Sequence, residues 1–204
     1  MVNLAHKIGL NGVDLYADAL DRAAQEALLD DVRKIARAAP LYTPEMPRGQ
    51  KMSVRMTAAG QFGWITDRRG YRYEARHPRG TVWPDIPESL LAVWRAVAPD
   101  ARVPECALIN FYAEGARMGL HQDKDEADFS QPVVSVSLGD EGLFRVGGAE
   151  RGGKTASHWL RSGDIAVLGG EARLAYHGVD KIRFGSSTLL PDGGRINLTM
   201  RVVT

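Results

Sequence analysis

The stretch HQDKDEADFSQPVVSVSLG, residues 121–139, places a cluster of charge directly before a core strand pattern. Five of its first six residues are ionisable, and the alternation that follows predicts a β-strand. Side chains two apart in an extended strand share a face, so His121 and Asp123 are expected side by side. The opposite parity turns Lys124 and Glu126 towards solvent. The charge is therefore expected to mark the rim of a site.

A histidine and an aspartate at this spacing supply two ligands of a two-histidine, one-carboxylate triad, which holds non-haem Fe(II) and leaves coordination positions open. HxD alone is a weak motif, so a third ligand must come from elsewhere in the chain. His177 is the best candidate, because it ends the alternating segment RLAYH directly before a glycine. The alternative for this residue is a packed histidine beside Tyr176, and His158 has no comparable context.

The last strand pattern, RINLTMR at residues 195–201, gives an independent signal. Its alternation puts four polar side chains on one face: Arg195, Asn197, Thr199 and Arg201. Arginines on an inner face are costly unless they meet anions. Their Cα atoms would lie about 20 Å apart, so side chains that lean together suit a short dicarboxylate bound at both ends. A metal triad beside such a pair of arginines indicates 2-oxoglutarate.

Composition sets the background for these motifs. The 204 residues are 44% hydrophobic and 25% charged, which is ordinary for one globular domain with a substantial core. The net charge of +1 neither indicates nor excludes a nucleic-acid partner. Cys106 is the single cysteine, which fits a reducing compartment and a core position. The first residues show no signal-peptide pattern, and no apolar run reaches membrane-span length. A soluble cytoplasmic protein is therefore expected.

Local patterns predict a helical N-terminal part packed on a β-sandwich. Residues 14–39 have apolar positions at helical spacing, ended by Pro40, and residues 87–99 show a second, shorter amphipathic helix. Residues 41–50 form a proline-punctuated loop, and the chain that follows has weak strand alternation. After residue 104 the chain consists of short β-like runs separated by glycine and aspartate turns, which favours a sandwich or barrel.

These motifs closely resemble the AlkB family of Fe(II)/2-oxoglutarate-dependent DNA dealkylases. The resemblance covers roughly residues 50–203 and is carried by NFYAEGARMGLHQDKDEADFSQPVVSVSLG, GDIAVLGGEARLAYHG and RINLTMR, with MSVRMTAAGQFGW and GYRY upstream. It implies a mainly β protein with flanking helices and a double-stranded β-helix (jelly-roll) core. The implied single domain, 1–204, divides into an N-terminal helical extension at 1–45, a nucleotide-recognition lid and helix at about 46–100, and the dioxygenase core at about 101–204.

The resemblance also implies roles for individual residues. Fe(II) would be bound by the catalytic triad His121, Asp123 and His177. The side chains implied for 2-oxoglutarate are Tyr112 and Arg195 at the distal carboxylate, and Asn110, Asn197 and Arg201 at the end nearer the metal. Those implied for the substrate are Trp64 and Tyr71 for stacking and phosphate contact, Asp125 for the exocyclic amino group of the base, and Arg151 near the lesion pocket. Without the family context, a core aromatic residue and solvated turn residues remain the alternatives for this last set.

The implied reaction is oxidative removal of methyl groups from 1-methyladenine and 3-methylcytosine in alkylated DNA, with release of formaldehyde, succinate and CO2. The base would come from a single strand or be flipped from a duplex by a monomeric protein, and RNA stays open as a substrate. The basic and aromatic segment at residues 64–79 suits stacking and phosphate contact. Gln50 and Lys51 replace a family tyrosine, so lid contacts are expected to differ. The alternatives are the same chemistry on RNA, protein or a small molecule, and a non-catalytic nucleic-acid-binding module.

Overall fold

A computed structural model describes residues 2–204. These residues form thirteen strands and two α-helices, with a short 3-10 helix at Gly170–Ala172. In chain order the elements are β1 Lys7–Leu10, β2 Val13–Tyr16, α1 Arg22–Ala38, β3 Val54–Gly60, β4 Gly63–Asp67, β5 Gly70–Glu74, α2 Glu88–Val97, β6 Cys106–Tyr112, β7 Met118–His121, β8 Val133–Gly139, β9 Glu141–Val146, β10 Ala156–Leu160, β11 Ile165–Leu168, β12 His177–Arg183 and β13 Arg195–Arg201. Neither helix of this part of the chain has the length and hydrophobicity of a transmembrane segment.

Two antiparallel sheets form the jelly-roll core, as predicted. The larger sheet has the strand order β1-β2-β11-β8-β13-β6-β3, and the smaller one has the order β10-β9-β12-β7. One apolar cluster lies between the sheets and includes Met56 and Leu108 from the larger sheet and Phe144 and Val179 from the smaller one. The two sheets therefore enclose an interior in which side chains from both can meet.

The last strand, β13, has two buried faces. Its polar residues lie on the face of the interior, since Arg195 is in register with Tyr112 and Asn197 with Asn110 on the neighbouring β6. Its apolar residues lie on the opposite face, where Leu198 joins the cluster formed with helices α1 and α2. The structure of β13 thus confirms the prediction that the polar side chains of RINLTMR share one face.

The predicted helix at 14–39 begins later, at Arg22. The chain before it forms the β1–β2 hairpin, whose two-residue turn Asn11–Gly12 has φ angles of 48° and 83°. Asn-Gly is the pair that suits such a turn, because both positions need a left-handed backbone. The helix starts where the Asp21 carboxylate caps it by accepting a hydrogen bond from Ala24 N at 2.9 Å. The shorter helix predicted at 87–99 is confirmed as α2.

The hairpin β4–β5 is a separate two-stranded sheet and is called the lid hairpin, residues 63–74, from here on. It is anchored at Gly63, where an added Cβ would lie 2.3 Å from the ring of Trp83. Trp64 and Tyr73 of the hairpin pack on the cluster between the two large sheets. The hairpin therefore covers one end of the interior.

Candidate active site

Three predicted metal ligands meet at the edge of the smaller sheet. His121 is the last residue of β7 and is in register with His177, the first residue of β12. The Asp123 carboxylate lies between them, with Oδ1 3.8 Å from His121 Nε2 and Oδ2 3.7 Å from His177 Nε2. One ligand atom from each residue lies within 4.8 Å of the other two. The predicted grouping is therefore present.

The local structure around this triad differs from the prediction in two respects. Strand β7 ends at His121, so Asp123 belongs to the irregular segment that follows and is not in one strand with His121. His177 starts a strand and does not end one, because the RLAY segment forms a turn and irregular chain after the 3-10 helix at Gly170–Ala172. An added Cβ at Gly178 would lie 2.6 Å from the Met118 carbonyl oxygen, so the glycine allows β12 to approach β7.

Both imidazoles are oriented by the backbone. Nδ1 of His121 lies 2.9 Å from the Gly119 carbonyl oxygen, and Nδ1 of His177 lies 3.0 Å from that of Ala175. A proton on Nδ1 in these bonds leaves the Nε2 lone pairs facing Asp123. Burial lowers the pKa of His177 to about 4, so its ring is neutral at pH 7. Neutral imidazoles and an ionised carboxylate are the ligand set of non-haem Fe(II) sites.

The depressed pKa of His177 has a consequence for the metal-free protein. We expect its free energy of unfolding to be largest above pH 6.5 and to fall as the pH drops from 6.5 towards 4. In that range the histidine binds a proton in the unfolded chain before it does so in the folded one. Chemical denaturation at several pH values, after chelation of metal, measures this slope. His177→Gln should flatten the slope and His158→Gln should not, and equal slopes in all three proteins would contradict the assignment.

Arg201 joins the triad to the larger sheet. Its Nη2 donates to Asp123 Oδ2 at 2.8 Å, and its Nε lies 3.4 Å from Oε1 of Glu126. Burial disfavours the charge of Asp123, but Arg201 and the two histidines outweigh that effect and hold the pKa of this carboxyl well below its ordinary value. The carboxylate therefore stays ionised and available to a cation.

The prediction that Glu126 faces solvent is wrong, whereas Lys124 is exposed as expected. The Glu126 side chain is only 1% exposed and pairs with Arg173 Nη2 at 3.0 Å. The parity argument failed because the chain leaves the strand at His121, so alternation no longer decides which side chains point inward. Arg173 was not predicted at all, because no local sequence pattern marks it, although the structure buries it between Ala172 and Ala175.

Arg195 is the second buried arginine of β13 and has no ion-pair partner among residues 2–204. It donates to Ser137 Oγ at 2.7 Å and to two backbone carbonyl oxygens, while its Nε is buried without a partner in the described part of the chain. An added Cβ at Gly142 would lie 2.8 Å from that Nε, so the glycine makes room for the guanidinium. Burial lowers the pKa of Arg195 to about 10, which leaves it cationic at pH 7. A buried cation without an acidic partner indicates an anion site.

Polar side chains connect the two arginines along the interior. Asn110 is in register with Asn197 between them, and Oδ1 of Asn110 is buried without a hydrogen bond to any of residues 2–204. Tyr112 lies opposite Arg195, and burial raises the pKa of its hydroxyl to about 12, so it stays protonated and can donate. The Tyr112 hydroxyl and the two guanidinium groups are hydrogen-bond donors, and they fit a dicarboxylate such as 2-oxoglutarate, held at both ends.

The lid hairpin brings together three of the four residues predicted for the substrate. The rings of Trp64 and Tyr71 are stacked, with centroids 5.5 Å apart and planes 16° apart. The Trp64 indole Nε1 donates to Oδ2 of Asp125 at 2.8 Å. Arg151 is exposed in the turn between β9 and β10 and is hydrogen-bonded to none of these three within the described chain. The structure thus places a stacked aromatic pair and a carboxylate beside the triad segment.

Comparisons with known proteins agree with this geometry. The family model described as "2OG-Fe(II) oxygenase superfamily" matches residues 12–201. The "Alpha-ketoglutarate-dependent dioxygenase AlkB homolog" of Caulobacter vibrioides is 51% identical over 191 residues, which are 93% of this chain and 87% of that protein. The Arabidopsis thaliana "DNA N(6)-methyladenine demethylase ALKBH1A" is 37% identical over 61% of this chain and 36% of its own length.

A solved structure supports the same relationship. The structure of OsALKBH1 has a TM-score of 0.81 to this chain at 30% identity, and the match covers 97% of this chain and all of that one. Together with the two-histidine, one-carboxylate triad and the paired arginines of β13, these matches show that the chain belongs to the 2OG-Fe(II) oxygenase superfamily and, within it, to the AlkB group of 2-oxoglutarate-dependent dioxygenases.

Proposed function

We propose that the protein repairs alkylated DNA by oxidative removal of methyl groups from 1-methyladenine and 3-methylcytosine, releasing formaldehyde, succinate and CO2. The observation that carries this proposal is the stacked pair Trp64–Tyr71 beside the carboxylate of Asp125, next to the metal triad. A flat aromatic surface and a nearby carboxylate together suit a planar, cationic ring. The nucleic-acid activity named for the Arabidopsis relative supports the same class of substrate.

The interior residues divide into two sets in this proposal. Fe(II), 2-oxoglutarate and dioxygen supply the oxidising chemistry when bound. The triad His121, Asp123 and His177 holds the metal. Arg195 and Tyr112 would hold the distal carboxylate of 2-oxoglutarate. The residues that would hold the end nearer the metal are Asn110, Asn197 and Arg201. The arginines orient the dicarboxylate, and the sheets exclude water from it.

The lid residues recognise the base. Methylation at N1 of adenine or N3 of cytosine leaves the ring cationic, so a carboxylate at Asp125 favours it over the undamaged base. The target atom lies inside the stack of a duplex, so the base must be flipped or come from a single strand. In the structure Asp125 accepts from Trp64, and this bond gives way when the exocyclic amino group of the base reaches the carboxylate.

Phosphate contact involves the basic segment at residues 64–79, but part of its charge is already paired. Arg72 binds Asp67 and Glu74, and Arg69 also contacts Asp67. Arg76 and Arg79 are exposed. Ion pairs at the surface are weak, so these arginines can exchange a carboxylate for a phosphate. We propose that Arg151 also belongs to this contact region, as the family resemblance implies.

The test of the proposal is a substrate panel. Oligonucleotides carrying 1-methyladenine, 3-methylcytosine or N6-methyladenine are supplied as single-stranded DNA, duplex DNA and RNA, with Fe(II), 2-oxoglutarate and ascorbate. With the two cationic lesions in DNA, formaldehyde should form in the same amount as the succinate produced above the oligonucleotide-free background. Succinate formation without formaldehyde from any oligonucleotide would overturn the nucleic-acid proposal and favour a protein or small-molecule substrate.

The stacking role of Trp64 leads to a separate prediction. Trp64→Ala should raise KM for a methylated oligonucleotide about tenfold, because base–aromatic stacking contributes about 1–3 kcal/mol per base. The slow decarboxylation of 2-oxoglutarate without oligonucleotide should stay unchanged, since the indole does not belong to the cosubstrate set. Trp159→Ala, at a partly exposed tryptophan on β10, is the matched control. An unchanged KM in Trp64→Ala would exclude stacking on this ring.

We propose that residues 1–204 act as a single domain and as a monomer in the cytoplasm, with the extension at 1–45, the lid and helix at about 46–100 and the core at about 101–204. The separate two-stranded sheet of the lid hairpin supports a distinct recognition part. Gln50 and Lys51 replace a family tyrosine at the lid. Lys51 is exposed and its backbone forms an isolated antiparallel β-bridge with Glu45, so backbone contacts to the nucleic acid would differ there.

A further inference from the structure

Glu126 is a buried carboxylate that contacts three parts of the molecule at once. Its Oε1 accepts a hydrogen bond from the Tyr73 hydroxyl of the lid hairpin and lies 3.4 Å from Arg201 Nε of β13. Its Oε2 lies 3.0 Å from Nη2 of Arg173, which precedes β12. We propose that Glu126 is a positioning residue that links the lid hairpin to Arg201 and thereby to the binding of 2-oxoglutarate. This inference rests on the role of Arg201 given under the proposed function.

Arg173 fixes the position of Glu126. This guanidinium donates to the carbonyl oxygens of Asp123 at 2.7 Å and Gln131 at 2.8 Å, as well as to Glu126. One side chain therefore holds both ends of the segment that runs from the metal ligand to β8. With the segment held, the Glu126 carboxylate is a rigid acceptor, and its direction is set before any ligand binds.

Arg201 is oriented by two carboxylates. Its Nη2 donates to Asp123, and its Nε lies between Asp123 at 3.3 Å and Glu126 at 3.4 Å. The two contacts fix the plane of the guanidinium and leave Nη1 as the nitrogen not engaged by either carboxylate. A planar donor group that is held in this way loses less freedom when it binds an anion. Glu126 thus acts on the cosubstrate through Arg201 without touching it.

The charges of the four groups balance. Asp123 and Glu126 contribute two negative charges, and Arg173 and Arg201 contribute two positive charges, all in buried side chains. If Glu126 loses its charge, Arg173 has no acidic partner and Arg201 is drawn to Asp123 alone. The guanidinium then turns away from the orientation that presents Nη1, which lowers affinity for the cosubstrate even though a negative charge has been removed.

The Tyr73 hydroxyl extends this arrangement to the lid. Tyr73 is on the same strand as Tyr71, two residues away, and its partner Trp64 across the hairpin is the proposed stacking residue. A movement of the hairpin can break the hydrogen bond from Tyr73 to Glu126. The Glu126 carboxylate, which orients Arg201, is then less restrained. Binding at the lid and binding at Arg201 therefore influence each other, and such an influence must be reciprocal.

Three variants test this link in protein loaded with Mn(II), without nucleic acid. Tyr73→Phe removes only the hydroxyl, and Glu126→Gln keeps the shape and the acceptor but removes the charge. Glu74→Gln is the matched control, because Glu74 is next to Tyr73 but pairs with Arg72 at the surface. Intrinsic tryptophan fluorescence gives the Kd for 2-oxoglutarate. Hydrogen exchange of residues 63–74, with and without 2-oxoglutarate, shows whether the lid senses the cosubstrate.

We expect Kd to rise about tenfold in Glu126→Gln, which removes the charge that orients Arg201. In Tyr73→Phe, which removes one hydrogen bond to that carboxylate and keeps its charge, we expect Kd to rise about threefold. The double variant should be no weaker than Glu126→Gln, since the hydroxyl acts only through the charged carboxylate. Protection of the lid by 2-oxoglutarate should vanish in Tyr73→Phe and persist in Glu74→Gln. A variant that only weakens the fold would lose stability without these changes.

Two results would overturn the inference. One is a Tyr73→Phe protein with the wild-type Kd and wild-type lid protection, a measurement that stays informative even if Glu126→Gln does not fold. The other is strict additivity of the two substitutions. The Kd and the hydrogen exchange are both measured with 2-oxoglutarate and without nucleic acid. Their interpretation therefore does not depend on which substrate the protein oxidises. Failure in the oligonucleotide panel with normal coupling here would reject the substrate proposal only.

Discussion

Replacing His121 by alanine is expected to lower 2-oxoglutarate turnover by about a thousandfold or more, because a bound metal contributes several kcal/mol to such reactions. His121 contributes one of three ligand atoms and is the most exposed of the triad, with 40% of its side chain accessible. Its loss should therefore remove metal affinity without a large loss of packing. Succinate formation and bound iron, measured on the same sample, check the result.

A matched substitution separates metal binding from a general effect of losing a histidine. His158 is half-buried on β10 and lies outside the triad, so His158→Ala should keep both iron and turnover. Asp123 is less suitable for this test, because its removal also leaves Arg201 without its nearest carboxylate. Wild-type turnover in His121→Ala would reject the assignment of the triad.

Replacing Arg195 by methionine should weaken 2-oxoglutarate binding about a hundredfold or more, since breaking a buried ion pair costs about 3–5 kcal/mol. Arg195 is fully buried and its guanidinium faces no carboxylate of the described chain, so its charge is available to the ligand. Folding should suffer much less, because an apolar side chain of similar length removes an uncompensated charge from the interior. Titration of the Mn(II)-loaded protein gives the affinity, and thermal unfolding gives the stability.

Arg33→Met is the control for this experiment, as Arg33 is an exposed residue of α1 that pairs with Asp30 at the surface. It should leave both the affinity and the melting temperature near their wild-type values. If Arg195→Met binds 2-oxoglutarate as tightly as wild type but melts far lower, the arginine has a structural role and the anion site lies elsewhere.

Alternation was enough to predict the parts of the site that lie within strands. Arg195, Asn197 and Arg201 share a face because β13 is regular over its whole length, and antiparallel pairing with β6 adds Asn110 and Tyr112 without further assumptions. The family resemblance supplied the roles. Each of these predictions used a local rule, strand parity, in a segment where the rule holds.

The features that the sequence did not reveal depend on irregular backbone or on tertiary partners. Asn11–Gly12 was a recognisable turn signal, but Leu15 also fitted the helical spacing, so the helix was extended over a strand. Glu126 lies beyond the end of β7, where parity has no meaning, and its burial depends on Arg173 about fifty positions later in the chain. No local sequence pattern predicts a contact between residues so far apart in the chain.

The two-sided burial of β13 has a consequence for how this protein can change. A shift of its pairing by one residue would carry Ile196, Leu198 and Met200 into the interior and send the arginines against the helices. Ligand binding and folding therefore require the same register of β13, and neither face of the strand can change its residues without affecting one of the two. Variation in substrate choice is accordingly expected to accumulate in the lid hairpin, which belongs to neither large sheet.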